Sequence, residues 1–145
     1  MQSANAQKVV FGELVISNAW IRNTPANHHM TAGYLKIANV GNIDDKLINV
    51  SSSIAEKVEI HQIIIENEVI KMRPLNDGLT ISAGDIVHLK PGSVHLMFLR
   101  LKQQILPMEL HQINLTFLKA GKLTVEAVVK SDPNSTMQHQ NGQNH

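Results

Sequence analysis

The 145-residue chain contains no cysteine. This absence excludes disulfide bonds, thiolate metal sites and catalysis by a thiol nucleophile. It also excludes a blue-copper electron-transfer centre, because that centre needs a cysteine ligand. Methionine still binds copper and is harder to oxidise than a thiolate. The composition is therefore compatible with an oxidising compartment outside the cytoplasm.

A strong net charge is also missing. The chain has 13 basic and 12 acidic residues, which gives a formal net charge of +1. With no basic excess and no run of Lys or Arg, neither nucleic acid nor an anionic membrane surface is an expected partner. The apolar runs are only a few residues long, so we expect no transmembrane segment.

Common catalytic motifs are absent as well. The sequence contains no G-x-S-x-G, no H-E-x-x-H and no glycine-rich phosphate loop. These motifs supply the nucleophile, the zinc ligands or the phosphate cradle of large enzyme families. We therefore expect a protein that is not an enzyme.

No segment keeps a 3.6-residue apolar period long enough to predict a helix. Instead, short runs rich in β-branched residues alternate with turn signals that contain glycine, proline or asparagine. The predicted strands cover residues 9–16, 19–22, 33–39, 46–51, 56–65, 69–73, 86–89, 93–100, 110–118 and 122–129. Regular short strands in a chain of this length predict one all-β domain, an antiparallel sandwich or small barrel.

Two histidines and two methionines stand out against this background. His61, Met72, His95 and Met97 follow the pattern His-x10-Met-x22-His-x-Met. Thioether sulfur and neutral imidazole together suit Cu(I), a soft ion with a single charge. They suit Mg²⁺ and Ca²⁺ poorly, because those ions prefer oxygen ligands. The four residues therefore predict a Cu(I) site.

The first pair of ligands falls in a predicted hairpin over residues 60–72. Glu66 and Asn67 are the expected two-residue turn, because asparagine tolerates a left-handed backbone. With that turn, His61 lies directly opposite Met72. Directly opposed side chains share a face with Cβ atoms roughly 5 Å apart, so nitrogen and sulfur could meet at one ion. A three-residue loop would break this pairing.

The second pair, His95 and Met97, is two residues apart on a predicted strand and therefore shares a face. Leu96 and Phe98 point to the other side, which we interpret as the core. Both ligand pairs then lie on faces turned away from the core. We therefore expect a site near the surface, within reach of another protein. Carboxylates, which metal hydrolases usually add, are absent immediately around His95 and Met97.

The chain divides into three segments by composition. Residues 1–7 are small and polar and resemble a mature start after an initiator methionine, with no signal peptide visible. Residues 8–130 carry the predicted strands and form the expected domain. Residues 131–145 are polar, so we expect a disordered tail. Lipid anchoring before processing is left open.

Two segments outside the main ligand set could also bind copper. His28, His29 and Met30 form a cluster in a predicted loop, where an auxiliary site and plain surface are both left open. The tail carries histidines and a methionine that could hold a second, weaker Cu(II), because imidazole suits that ion. These tail residues are Met137, His139 and His145.

An ordinary packing or surface role is the commonest state of a histidine or methionine on a strand. A metal-free β-sandwich interaction module is therefore an alternative to the copper site. The pairing of four soft ligands by hairpin geometry and by i, i+2 spacing argues against chance, and a metal titration separates the two hypotheses.

The sequence around the four ligands resembles the PCuAC family of periplasmic copper chaperones. The usual family spacing has 21 residues in place of the 22 between Met72 and His95. A loop over residues 74–84 can absorb the extra residue. The resemblance spans roughly residues 13–130 and is carried by AWIRNTP (19–25), AGYLKIAN (32–39), DDKL (44–47), SSSIAEKVEIH (51–61), KMRP (71–74), LKPGSVHLM (89–97) and LTFLKAG (115–121).

This resemblance implies a cupredoxin-like Greek-key β-barrel that holds Cu(I) with His61, Met72, His95 and Met97. It implies a periplasmic chaperone that delivers copper towards the dinuclear copper site of cytochrome c oxidase. The implied partner is the copper-bearing oxidase subunit or another copper chaperone. A periplasmic copper storage or resistance protein would use the same site without a dedicated acceptor, and the sequence leaves that alternative open.

Overall fold

The computed structural model describes residues 8–131, and its regular elements are all β-strands. The predicted flexible start, residues 1–7, and all but the first residue of the predicted tail lie outside the described residues. In the described range nothing helical has the length and apolar character of a membrane span. The strands are β1 (Lys8–Phe11), β2 (Leu14–Arg22), β3 (Met30–Asn39), β4 (Asp45–Ser51), β5 (Ala55–Glu66), β6 (Val69–Pro74), β7 (Leu79–Ile81), β8 (Ile86–Leu89), β9 (His95–Leu101), β10 (Leu110–Phe117) and β11 (Gly121–Lys130).

The strands form one sheet, hydrogen-bonded in the order β6-β5-β9-β3-β2-β11-β10-β4-β7. In addition, β1 pairs with β2 and β8 pairs with β3. Strands β2 and β11 run parallel, and the neighbouring pairs on either side of them are antiparallel. Many neighbours are distant in sequence, as in Greek-key connections. The all-β architecture predicted from the sequence is confirmed.

The open sheet folds around one apolar core. Leu47 and Ile81 at one end of the strand order are fully buried, and Val58 and Ile60 at the other end belong to the same cluster. Strand side chains alternate between the two faces of a sheet. The strands at both ends of the sheet bury one face in the same core. This is possible only if the sheet folds over so that these faces meet.

Two predicted elements differ from the observed strands. The run predicted as one strand over residues 9–16 is a hairpin, because Gly12 adopts a φ of 60° and the chain reverses between β1 and β2. Glycine accepts this left-handed conformation without a Cβ clash. The predicted loop over residues 74–84 contains β7, which pairs with β4. A strand of three residues is too short to show an alternation of apolar and polar residues in the sequence. It forms because it pairs with β4, which lies far from it in the chain.

Strand β3 supports the region that carries the predicted ligands. Its residues 30–33 pair with β9, whereas residues 35–38 pair with β8. At Gly33 an added Cβ would lie 2.6 Å from the ring of the fully buried Phe98, so only glycine fits there. Strand β9 pairs with β5, and β5 pairs with the edge strand β6. The three strands β6, β5 and β9 therefore lie side by side and carry all the predicted ligands.

Candidate metal centre

The two histidines meet because of the pairing between β5 and β9. The register of these strands sets His61 directly opposite His95. Their ring centroids are 6.0 Å apart and their planes are inclined by 54°. An ion bound in line with a ring nitrogen lies on the order of 3 Å from the ring centre. Two rings at this separation can therefore share one ion.

Met72 completes a close pair with the first histidine. Nδ1 of His61 lies 3.4 Å from Sδ of Met72. Nitrogen and sulfur ligands held by one tetrahedral ion, at bond lengths of about 2.0 and 2.3 Å, are roughly 3.5 Å apart. The two atoms thus already stand at the spacing that a shared ion requires.

The turn of the β5–β6 hairpin lies one residue later than predicted. Asn67 and Glu68 form it, with φ values of 54° and 66°, in place of Glu66 and Asn67. Positive φ at both central positions is the requirement of the type I′ turn that fits hairpin twist. Glutamate rarely adopts this conformation, so residue type alone does not predict the turn at this position.

The predicted direct opposition of His61 and Met72 is therefore wrong. Met72 lies opposite Ile63, and His61 lies opposite Pro74. The pairing is displaced by two residues, and a two-residue displacement leaves every side chain on its face. His61 and Met72 are diagonal neighbours on one face, within reach of long side chains.

His95 is buried, although its side chain lies on the strand face that was expected to be near the surface. It is 5% exposed, whereas Met72 on the edge strand is 54% exposed. An aromatic layer on the outer face covers it: the buried ring of Tyr34 lies 6.4 Å from the His95 ring, and Trp20 packs on Tyr34 at 4.6 Å. The centre therefore has a closed side at His95 and an open side at Met72.

The surroundings of His95 fix its tautomer and its charge. Nδ1 lies 2.9 Å from the carbonyl oxygen of Ser93. A carbonyl oxygen only accepts, so Nδ1 donates its proton and Nε2 keeps the lone pair that a metal needs. Burial lowers the pKa of His95 and the nearby His61 and Arg22 add to this effect, whereas the hydrogen bond to Ser93 opposes it. The neutral, metal-binding form therefore persists to lower pH than in an exposed histidine.

Glu59, which the sequence analysis did not include, supports the other histidine. Its Oε1 lies 2.8 Å from Nε2 of His61. When Nε2 donates to this carboxylate, Nδ1 keeps its lone pair on the side of the Met72 sulfur. The hydrogen bond from His61 and then that from Lys57 lower the pKa of Glu59, so its carboxylate is ionised at neutral pH. The signal in the sequence was its position two residues before His61, on the same strand face.

Met97 is placed by the register of its strand. It lies opposite Glu59 on β5 and opposite Ala32 on β3, and its side chain is partly buried. It shares a face with His95, as predicted from their spacing. The structure therefore brings a carboxylate close to the methionine, although none is near it in sequence.

The other candidate ligands lie apart from this centre. His28 and His29 are exposed in the loop between β2 and β3, and Met30 begins β3. An auxiliary site there stays a prediction, and the candidate ligands of the tail lie outside the described residues. Within residues 8–131, His, Cys, Asp and Glu form no group of three or more that could hold a metal.

The burial of His95 predicts a pH dependence of stability. Because its pKa in the folded state lies below the ordinary 6.5, the unfolded chain takes up this proton at higher pH than the folded protein. The contribution to stability is fully present above pH 6.5 and is lost as the pH falls from 6.5 towards the folded-state pKa. In urea unfolding of the metal-free protein, the wild type should lose more stability below pH 6.5 than His95→Asn. His88→Asn, at an exposed strand position, is the control and should behave as the wild type. If His95→Asn loses stability below pH 6.5 as steeply as the wild type, His95 is not the source of this pH dependence.

The contact with Glu59 predicts the tautomer of His61. Nitrogen-15 NMR of the metal-free protein should show His61 protonated at Nε2 and unprotonated at Nδ1. Glu59→Gln keeps an acceptor oxygen and should preserve this tautomer, whereas Glu59→Leu should produce a tautomer mixture. Glu56→Leu removes an exposed carboxylate of the same strand, paired with Arg100, and should have no effect. A mixture already present in the wild type would refute the role of Glu59.

Comparison with known proteins agrees with the fold and assigns the family. The family model described as "Putative lipoprotein LpqE-like" matches residues 14–129. The protein "Putative lipoprotein Lxx21020" of Leifsonia xyli subsp. xyli (strain CTCB07) is 28% identical over 115 residues, which is 79% of this chain and 68% of that protein.

Solved structures share the same architecture. The copper-bound PCuAC domain from PmoF2 aligns with a TM-score of 0.74 at 21% identity, over 87% of this chain and 99% of that domain. The solution structure of CuI-DR1885 from Deinococcus radiodurans aligns with a TM-score of 0.61 at 24% identity, over 89% of this chain and 84% of that one. The predicted cupredoxin-like Greek-key fold is thus confirmed. Since the family model spans most of the sequence, the chain belongs to the LpqE-like family of PCuAC-type domains.

Proposed function

We propose that this protein is an extracytoplasmic, periplasmic Cu(I) chaperone whose ion is held by His61, Met72, His95 and Met97. The observation that carries the proposal is the 3.4 Å separation of His61 Nδ1 and Met72 Sδ, next to a second imidazole with a free lone pair. Two imidazoles and two thioethers are a soft and neutral ligand set, which favours Cu(I) over harder ions.

The related proteins support copper as the cargo. The PmoF2 domain is a copper-bound structure and DR1885 is a Cu(I)-bound one, and both share this fold. The description of the family and the name of the Leifsonia protein both contain the word lipoprotein. A lipoprotein is exported, which supports a location outside the cytoplasm.

The ligand set suits a carrier that releases its ion. All four ligands are neutral, so they do not neutralise the charge of the ion. The ionised Glu59 contacts Nε2 of His61 and does not bind the ion itself. Such a site holds Cu(I) less tightly than thiolates do. Met72 is exposed on an edge strand and can leave the ion first, whereas the buried His95 holds it until last.

Delivery towards the dinuclear copper site of cytochrome c oxidase follows as the proposed role, directly or through another copper chaperone. The acceptor site contains thiolate ligands, so transfer from thioether and imidazole ligands runs downhill. The reaction exchanges ligands around a shared ion and breaks no covalent bond of a substrate. The protein therefore acts as a carrier and not as an enzyme.

Replacing Met72 by leucine tests the ligand set. Leu conserves volume and removes sulfur, so Cu(I) affinity should fall by about tenfold or more, because even outer-shell partners of a metal contribute 10–100-fold. The urea midpoint should not change, because the side chain is half exposed. Anaerobic Cu(I) titration against a competing chelator measures the affinity. Met108→Leu, at an 82% exposed methionine, is the control. Equal affinities for Met72→Leu and the control would exclude Met72 as a ligand.

Transfer itself is the test of the function. Cu(I)-loaded protein mixed with the reduced, copper-free domain of the copper-bearing oxidase subunit should pass its copper to that domain. Loss of His95 and Met97 together should impair both loading and delivery. If copper stays on the protein although the acceptor is competent, and deletion leaves oxidase activity normal under copper limitation, a storage or resistance role replaces delivery.

A further inference from the structure

The β5–β6 hairpin has two chemically different faces. In the observed register Ile63, Ile65, Ile70 and Met72 lie on the same face as His61. These four residues are the front patch. Over residues 61–74, all of which the structure describes, this face carries no Asp, Glu, Lys or Arg. The copper ligand Met72 is thus a member of an apolar patch.

The charged residues of the two paired segments, 61–66 and 69–74, lie on the back face, whereas Glu68 lies in the turn. Glu66, Lys71 and Arg73 occupy the back face, and the Glu66 carboxylate lies 3.1 Å from Nζ of Lys71 and 4.0 Å from the Arg73 guanidinium. Edge strands normally carry charges that prevent unwanted pairing with other chains. On the paired segments of this hairpin the charges are confined to one face, so the other face carries no charged side chain.

The front patch is open to solvent. Ile65 is 73% exposed and Ile70 is 72% exposed, and they lie directly opposite each other. All six residues of β6 are exposed. A group of adjacent, exposed large apolar side chains marks a contact surface. The core does not need these residues, because they do not reach it.

We propose that the front patch is the docking surface for the copper acceptor, a protein with an apolar surface around its own copper ligands. This inference rests on the proposed function. Copper passes between proteins only when an acceptor ligand reaches the ion while the donor still holds it. The buried His95 closes one side of the centre, so the acceptor approaches from the exposed Met72.

An approach over Met72 covers the rest of the patch. Ile70 precedes Met72 by two residues on β6, a distance of about 7 Å along the strand, and Ile65 lies across from Ile70. Burial of these side chains excludes water from the bound ion during exchange. Because the front patch itself carries no charged side chain, its contribution to association should depend only weakly on salt concentration.

The double variant Ile65→Thr/Ile70→Thr tests the docking surface. Threonine is β-branched and keeps the strand preference, while its hydroxyl makes burial unfavourable. The chelator titration should give wild-type Cu(I) affinity, because neither residue is a ligand. The second-order rate constant of copper transfer to the reduced, copper-free oxidase domain should fall by about tenfold or more. The matched control is Val69→Thr, a 52% exposed residue on the back face of the same strand, which should transfer at the wild-type rate.

The outcomes are distinct. Wild-type transfer rates in the double variant would overturn the docking surface and leave the chaperone role intact. A wild-type protein that delivers no copper would overturn the proposed function, and the docking surface with it. If light scattering shows that the wild type is a dimer and the double variant a monomer, a second copy of the chain covers the patch and the acceptor assignment is wrong.

Discussion

The pairing of β5 with β9 is the constraint on which the centre depends. It sets His61 opposite His95 and Glu59 opposite Met97. The pair between these two, Ile60 with Leu96, points to the other side and is buried in the core. A displacement by one residue would exchange the two faces and bury the polar pairs. The hydrophobic core therefore fixes the register, and the register fixes the positions of the proposed ligands.

The candidate centre combines an enclosed proposed ligand, His95, with an exposed one, Met72. His95 is enclosed by an aromatic layer, and its Nδ1–H donates a hydrogen bond to the carbonyl oxygen of Ser93, so the lone pair of Nε2 has a fixed direction. His61 lies between the carboxylate of Glu59 and the sulfur of Met72. Met72 stands on an exposed edge strand whose front is apolar. Such a gradient from buried to exposed ligands suits capture and stepwise release of an ion.

Much of this arrangement was predictable from local patterns. Alternation along a strand separated His95 and Met97 from Leu96 and Phe98, because side-chain direction depends only on strand parity. The meeting of His61 with Met72 was predicted although the turn was placed one residue too early, since the resulting two-residue displacement preserves parity. The strand β7, the bend at Gly12 and the partnership of Glu59 with His61 were not predicted, although glycine at 12 and the spacing of 59 and 61 were visible.

The sequence by itself determined which side chains are available for a metal site: no cysteine, and the proposed ligands His61, Met72, His95 and Met97 on strands whose alternation turns them away from the core. These properties are local, because neither the composition nor the alternation of side chains along a strand depends on distant contacts. Only the tertiary structure decided which strands are neighbours, how deeply each ligand is buried and which face of the hairpin is apolar. Those properties depend on the pairing of segments far apart in the chain, such as β5 with β9, and a non-local pairing is decided by how the whole core packs.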